Sequence, residues 1–213
     1  MVLKKNNMNL ELLKPFGPSI VKLELPNEII EEMNKYTDDI INDKNKLKKL
    51  DHGSKLAGNV HQEILLDLDF MKKIQWAEFL GKACEQWIKK ENNKQLKDFK
   101  IIKSWIVRQF KNDYNPIHFH SGHISGVGYL KVPNKMGSTV QKNKKNNQNG
   151  KLELIECSPK LFCKGNYLVE PKVGNFYLFP NYLFHTVYPF TDTEEERRSV
   201  SFNAIIDDLT ASL

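Results

Sequence analysis

Three histidines fall close together and a fourth lies where a ligand set would be completed. His118, His120 and His123 sit in NPIHFHSGHISGVGYLKVP, and His185 follows in GNFYLFPNYLFHTVYPF. In an extended chain, residues i and i+2 point to the same side, so His118 and His120 can reach one metal ion while Phe119 turns away. Imidazole nitrogens bind such ions at about 2.0–2.2 Å. Arg197 comes soon after His185, in ERRSVSFNAII, and is one of only three arginines among the 32 basic side chains; Arg198 is its neighbour. A guanidinium can hold a carboxylate through two parallel charge-assisted hydrogen bonds. A close His pair, a distant third His and an Arg just beyond it form the layout of a mononuclear non-haem iron site beside a carboxylate pocket.

The surroundings of each residue bear on that chemistry. His185 emerges from the aromatic, alternating run KVGNFYLFP. A His on such a wall faces a low-dielectric space, which favours the neutral, metal-binding imidazole. The competing reading makes one of the pair a hydrogen-bonded core residue; the His-x-His pair with a downstream His favours ligation. Along RRSVSFNAI, Arg197, Ser199, Ser201 and Asn203 share one strand face, and Arg198, Val200 and Phe202 the other. The first face reads as inward, with Arg197 and Ser199 making the carboxylate pocket. Arg198 reads as an exposed ion pair with the acidic run Glu194–Glu196.

The elements that must position these residues change character near residue 100. Before it the chain reads as helical. PNEIIEEMNKYTDDIIND has Asn27 as N-cap and Ile29, Ile30, Met33, Tyr36, Ile40 and Ile41 at helical spacing. DLDFMKKIQWAEFLGKACEQWIKKENN reads as one second helix, with Phe70, Ile74, Ala77, Leu80, Cys84, Trp87 and Ile88 on its stripe and an end near Asn92–Asn93. The intervening KLDHGSKLAGNVHQEILL reads as irregular. After residue 100 the period is two: KIIKSWIVRQF, HISGVGYLKVP, KLELIE, GNFYLFP, FHTVYPF and RRSVSFNAII are short strands bounded by Gly, Pro and Asn. Gly126 and Gly128 allow close backbone approach in a crowded sheet. Residues 133–150, polar and low in complexity, read as a long mobile hairpin loop bordering the mouth of the site. Helices followed by antiparallel strands predict an α+β chain whose β-part closes into a sandwich or barrel.

Composition sets the outer bounds. A chain of 213 residues, 40% hydrophobic and 10% aromatic, is most simply one globular domain. It holds no apolar run of membrane-spanning length, and its N-terminus lacks the apolar core of a signal peptide. Cys84, Cys157 and Cys163 are odd in number and follow no metal spacing, so they read as thiols of a reducing cytoplasm. The net charge of +6 is carried by dispersed lysines and a lysine-asparagine segment near residues 142–151, with little arginine. That pattern argues against nucleic acid as the main partner.

From about Trp105 to Ile206 the chain resembles the 2-oxoglutarate and Fe(II)-dependent oxygenase superfamily, and looks closest to a group of such oxygenases from bacteria and phages. NPIHFHSGHISGVGYLKVP, VGNFYLFPNYLFHTVYPF and RRSVSFN carry the resemblance, and KLAGNVHQEILL is also similar to that group. The superfamily pattern is His-x-Asp/Glu, a distal His, then Arg or Lys about ten residues on, often as Arg-x-Ser. His118 and His185 match its histidines and Arg197-x-Ser199 its cosubstrate anchor. His120 occupies the carboxylate position, a departure that leaves three neutral imidazoles as ligands. The resemblance implies a double-stranded β-helix (jelly roll, cupin-like) core over 100–213, buttressed by a mainly helical part over 1–99, in a single domain. It implies Fe(II) on His118, His120 and His185, and 2-oxoglutarate on Arg197 and Ser199 with help from Tyr129. It also implies a dioxygenase that uses O2, most often hydroxylating a C–H bond, and releases succinate and CO2. Two alternatives stay open: a three-His cupin-type dioxygenase that does not use 2-oxoglutarate, and a non-catalytic jelly-roll binding protein. The substrate, small molecule or peptide, and the oligomeric state are not legible.

Overall fold

Each of the six alternating runs after residue 100 builds a strand, and two more strands, at Asn115–His118 and Asn166–Val169, lie outside those runs. The structure is a computed structural model that describes residues 9–13, 17–141, 143–158, 161 and 164–211. The core strands are β4 (Phe99–Gln109), β5 (Asn115–His118), β6 (Ile124–Lys131), β7 (Leu152–Ile155), β8 (Asn166–Val169), β9 (Asn175–Pro180), β10 (Phe184–Val187) and β11 (Arg197–Ile206). Three further strands lie earlier in the chain, β1 (Leu10–Leu13) and β2 (Ile20–Glu24) in the part expected to be mainly helical and β3 (Gln62–Leu65) in the stretch expected to be irregular. They extend a seven-stranded antiparallel sheet in the order β1-β2-β9-β6-β11-β4-β3. A four-stranded sheet, β5-β10-β7-β8, faces it. Two antiparallel sheets of this kind, closed face to face, are the double-stranded β-helix.

The helices are α1 (Asn27–Ile41), α2 (Lys44–Leu50), α3 (Leu68–Lys73), α4 (Trp76–Asn92) and the single turn α5 (Asp208–Ala211). Asn27 is the first residue of α1 and not its cap; Pro26 holds that position without a side-chain bond. The expected long second helix is broken. Asp67 caps α3 by accepting from the Phe70 N–H at 2.8 Å, and Gln75 takes a left-handed conformation (φ 54°) between α3 and α4. The break shifts the helical phase, so Trp76, Phe79 and Ala83 enter the core and Ala77 faces out. KLDHGSKLAGNVHQEILL is not merely irregular, since its first two residues close α2 and its end carries β3.

One apolar cluster joins Met33, Trp76, Phe79 and Leu80 of the helices to Ile106, Phe176, Val200 and Phe202 of the large sheet. A second, smaller cluster lies between the sheets and includes Tyr129, Leu154, Tyr177 and Phe179. Gly126 and Gly128 sit under the rings of the first cluster. A Cβ on Gly128 would fall 2.3 Å from Phe176 Cδ2, and one on Gly126 would fall 2.5 Å from Phe202 Cε1. The space left between the sheets beyond the second cluster is the cavity described next. Among the described residues, no helix is long and apolar enough to cross a membrane. Cys84 is buried in α4; Cys163 lies outside the described residues.

Candidate metal centre and cosubstrate pocket

His118 ends β5 and His185 lies on the neighbouring β10, and the two pair directly across the ladder. His120 follows β5 in a turn tied to the loop after β9: its N–H donates to Asn181 O at 3.1 Å, and Asn181 Nδ2 donates to His120 O at 2.9 Å. The expected convergence is therefore present. One ring nitrogen from each of His118, His120 and His185 lies within 4.8 Å of the other two. His123 is not among them. Its Nδ1 meets the backbone of Ile206 at 3.1 Å and its N–H donates to Ala204 O, so it fastens the start of β6 to the end of β11.

The hydrogen bonds of the cluster settle which nitrogens are bare. His118 Nδ1 lies 2.7 Å from Pro116 O, and His185 Nδ1 lies 2.9 Å from Leu183 O. A carbonyl only accepts, so both Nδ1 atoms carry the proton and both Nε2 atoms present a lone pair. His120 Nε2 stands 3.1 Å from His185 Nε2. Two nitrogens about 2.1 Å from one ion and at right angles to it are separated by about 3.0 Å. Burial, the largest cause, pulls the His120 pKa down to about 3 and that of His185 to about 4, and lowers His118 as well. Neutral imidazoles with aimed lone pairs are the donor set that a divalent transition metal needs. The residues fit such an ion.

These imidazoles line one end of a cavity of about 280 Å³ between the sheets; Arg197, Ser199, Ser201 and Asn203 line it from β11. The inward register of β11 is thus the expected one. Arg197 is 1% exposed. Its Nη1 donates to Gln109 Oε1, and Gln109 Nε2 in turn donates to Asn115 Oδ1 at 3.1 Å. Its Nε and Nη2 are buried with no acceptor, and the buried Tyr129 hydroxyl also has no hydrogen-bond partner. The guanidinium carbon stands 5.1 Å from the centroid of the Tyr129 ring. Burial lowers the Arg197 pKa and raises that of Tyr129. Unsatisfied buried donors are expensive, so this end of the cavity is built for an acceptor such as a carboxylate.

Arg198 corrects one expectation. It is wholly buried, not at the surface. Its Nε and Nη2 form a fork on the two oxygens of Glu196, both at 2.8 Å, and Nη2 also reaches Asp38 Oδ1 at 2.7 Å on α1. Nη1 donates to the backbone and side-chain oxygens of Asn34, each at 3.1 Å. Glu196 also accepts from Arg108 Nε at 2.7 Å, and the arginines beside it lower its pKa against the cost of burial. This network fastens α1 to the sheet.

The segment 133–150 corrects another. None of its described residues lines the cavity. It is held instead to the stretch before β11: Asn134 N–H donates to Glu195 Oε2 at 2.8 Å, and Thr191 N–H donates to Met136 O at 3.2 Å. Sequence reasoning missed Gln109 and Asn115, which orient Arg197. It also missed Trp105, whose ring stands edge-on to His120 at 5.7 Å, and Glu63, a buried cavity-lining carboxyl on β3. An inward position in KIIKSWIVRQF could have pointed to Trp105 and Gln109; nothing local marked Glu63.

Residues 103–203 match the family model described as "Putative 2OG-Fe(II) oxygenase". Over that span the chain is similar to the 2-oxoglutarate and Fe(II)-dependent oxygenases. Fe(II), 2-oxoglutarate and O2 are the metal and cosubstrates that this family description implies. In fold it is similar to a Pseudomonas putida prolyl-4-hydroxylase, at 14% identity and a TM-score of 0.55 over 93% of this chain and 92% of that one. It is also similar to a viral collagen prolyl hydroxylase from Paramecium Bursaria Chlorella virus-1, in complex with 2-oxoglutarate, at 13% identity and a TM-score of 0.53 over 87% and 94% of the two chains. No curated protein sequence matches the chain.

Proposed function

We propose that the protein is a dioxygenase that hydroxylates a C–H bond of its substrate, with His118, His120 and His185 as the Fe(II) ligands. Arg197, Ser199 and Tyr129 then hold the far carboxylate of 2-oxoglutarate. The observation that carries the reading is Arg197: a buried guanidinium with two unsatisfied N–H donors, in the same cavity as three converging imidazoles. Fe(II), when bound, supplies the redox chemistry with O2. The rest falls to the chain's own residues. Pro116 O and Leu183 O fix the tautomers of His118 and His185, Gln109 aims Arg197, and Phe179 and Trp105 keep water from the imidazoles. In balance, one C–H bond, O2 and 2-oxoglutarate give one C–OH group, succinate and CO2. The two similar folds are prolyl hydroxylases, which supports hydroxylation over other outcomes.

His120 in place of a carboxylate favours a second reading, a three-His dioxygenase without a cosubstrate. The two part on one experiment. Purified protein is loaded with Fe(II) without air, titrated with 2-oxoglutarate while the metal-to-ligand absorption is followed, then exposed to O2 and assayed for succinate. Saturable binding and succinate formation are expected. O2 uptake that ignores 2-oxoglutarate overturns the proposal in favour of the second reading. A protein that takes up no iron is a jelly-roll binding protein.

A further inference from the structure

The large sheet carries a row of inward side chains across four neighbouring strands. Tyr129 on β6 pairs with Ser199 on β11, Ser199 with Val107 on β4, and Val107 with Glu63 on the edge strand β3. Strands lie about 4.8 Å apart, so Glu63 stands about 10 Å from Ser199 along this row. Glu63, Val107 and Ser199 all line the cavity. One pole of the row is the proposed carboxylate pocket, and Glu63 is the other.

Glu63 is the sole acidic residue among the described residues that line the cavity. It is 2% exposed, and its Oε2 has no hydrogen-bond partner. Trp105 Nε1 is also buried and unpaired; it lies near enough to favour the ionised carboxylate but not in hydrogen-bond geometry. The other charged groups that act on Glu63 are Lys103, also in the cavity wall, and Asp51. Lys55, Leu56 and Ala57 complete the wall at this end. The backbone at Gly58 comes in close, since a Cβ there would meet Asn115 Nδ2 at 2.8 Å and Glu63 Oε1 at 3.2 Å. The run KLAGNVHQEILL, which the proposed iron and cosubstrate chemistry leaves without a task, therefore forms the wall around one acceptor. A buried carboxyl oxygen without a donor costs free energy that only a bound donor returns.

We propose that Glu63 is the substrate-reading residue of this cavity, and that its carboxyl accepts a hydrogen bond from a nitrogen-borne donor of the substrate, an ammonium or an amide N–H. The inference rests on the reading that 2-oxoglutarate occupies the Arg197 pole, which leaves the Glu63 pole to the substrate. A specificity contact of this kind is strong because a substrate that lacks the donor leaves the acceptor unpaired.

The test uses protein carrying 13C-labelled glutamate, metal-free and again with Zn(II) and 2-oxoglutarate. The probes are n-propylammonium and propionamide, with n-propanol and propionate as controls. The Glu63 carboxyl resonance is assigned by its loss in Glu63→Gln, or in Glu63→Asp should the first variant not fold. At least one nitrogen probe should shift that resonance in both states, bind at least tenfold more tightly than propanol or propionate, and bind at least fivefold more weakly to the variant. A response to the ammonium alone identifies a cationic substrate group; a response to propionamide identifies an amide. A silent Glu63 resonance, or equal binding of the controls, overturns the proposal. Failure of 2-oxoglutarate to bind the Zn(II)-loaded protein counts against the cosubstrate reading and is read separately from the metal-free titration.

Discussion

His120 Nε2 and His185 Nε2 face each other at 3.1 Å, and both rings are held neutral by burial. Because His185 donates from Nδ1 to Leu183 O, its Nε2 lone pair is aimed at its neighbour. That contact is satisfied by a proton on His120 or by a cation between the rings. His185→Ala should remove stoichiometric Fe(II) binding while the far-ultraviolet circular dichroism keeps its native shape. Metal analysis after gel filtration is the check; a variant that retains one iron per chain would show that the ligand set is wrong.

The same pair gives a pH dependence to the metal-free protein. The folded-state pKa values, about 3 for His120 and about 4 for His185, lie below the ordinary 6.5. The unfolded chain therefore binds more protons between about pH 6.5 and 4, and stability falls as pH falls through that window. Each imidazole contributes up to about 1.4 kcal/mol per pH unit. His185→Asn removes one of these terms. Urea unfolding should show the parent's advantage over this variant shrinking from pH 7 towards pH 4; a constant gap would mean that His185 is protonated in the fold.

Arg197 and Arg198 should respond in opposite ways. Arg197→Ala should weaken 2-oxoglutarate binding more than tenfold, since losing a buried charged pair costs about 2–5 kcal/mol. It should leave the melting temperature near the parent's, because two of the deleted donors have no partner. Arg198→Ala should lower stability by about 2–3 kcal/mol, since the half-buried Glu196 would lose its forked partner and keep only Arg108, and Asn34 and Asp38 of α1 would lose their tie to the sheet. Thermal melts and anaerobic titrations on both variants decide it. Equal effects on cosubstrate affinity would place the register of β11 one residue out.

Glu63 offers a stability signature separate from binding. Burial raises its pKa to about 7, above the ordinary 4.5, so the fold favours the protonated acid. Its unfavourable contribution grows as pH rises from about 4.5 to 7 and is complete above that. Glu63→Gln should therefore be more stable than the parent by on the order of 2 kcal/mol at pH 8, with the gain vanishing near pH 4. A variant less stable than the parent at pH 8 would show that Glu63 is ion-paired in solution.

The segment 133–150 should prove dispensable for the site. Replacing residues 139–147 with a short Gly-Ser linker should change 2-oxoglutarate affinity less than twofold, since none of the segment's described residues lines the cavity. A tenfold loss would make it part of the mouth after all.

What the sequence disclosed follows from the range of the forces involved. The alternation of RRSVSFNAI is a local pattern, and it placed Arg197 and Ser199 on the cavity side and Val200 and Phe202 on the helix side. The His-x-His spacing was equally local. Arg198 does pair with the nearby acidic run, through Glu196, but its burial was not legible because its other partners, Asn34 and Asp38, lie some 160 positions earlier in the chain on α1. β1, β2 and β3 were invisible because each is only four or five residues long and takes its order from a longer strand beside it, as β3 does from β4. Glu63 could not be found for the same reason: its inward direction is fixed by pairing with Val107 and not by its own neighbours. The break at Gln75 is a single left-handed residue inside a helical pattern, and it moved Ala77 out of the core.

The two sheets differ in how firmly they hold their cargo. β11, with Arg197, is paired on both sides and fixed to α1 through Arg198. β5, with His118, is the edge strand of the small sheet, and its ladder to β10 shifts register between His185 and Val187. An ion shared by His118 and His185 would act as a rivet across that weak seam. Amide hydrogen exchange in β5 should then be fast in the metal-free protein and slow once the ion is bound, while β11 exchanges only with global unfolding. The carboxylate pocket would thus persist as a standing part of the fold, and the metal ligands would become a rigid set only on loading.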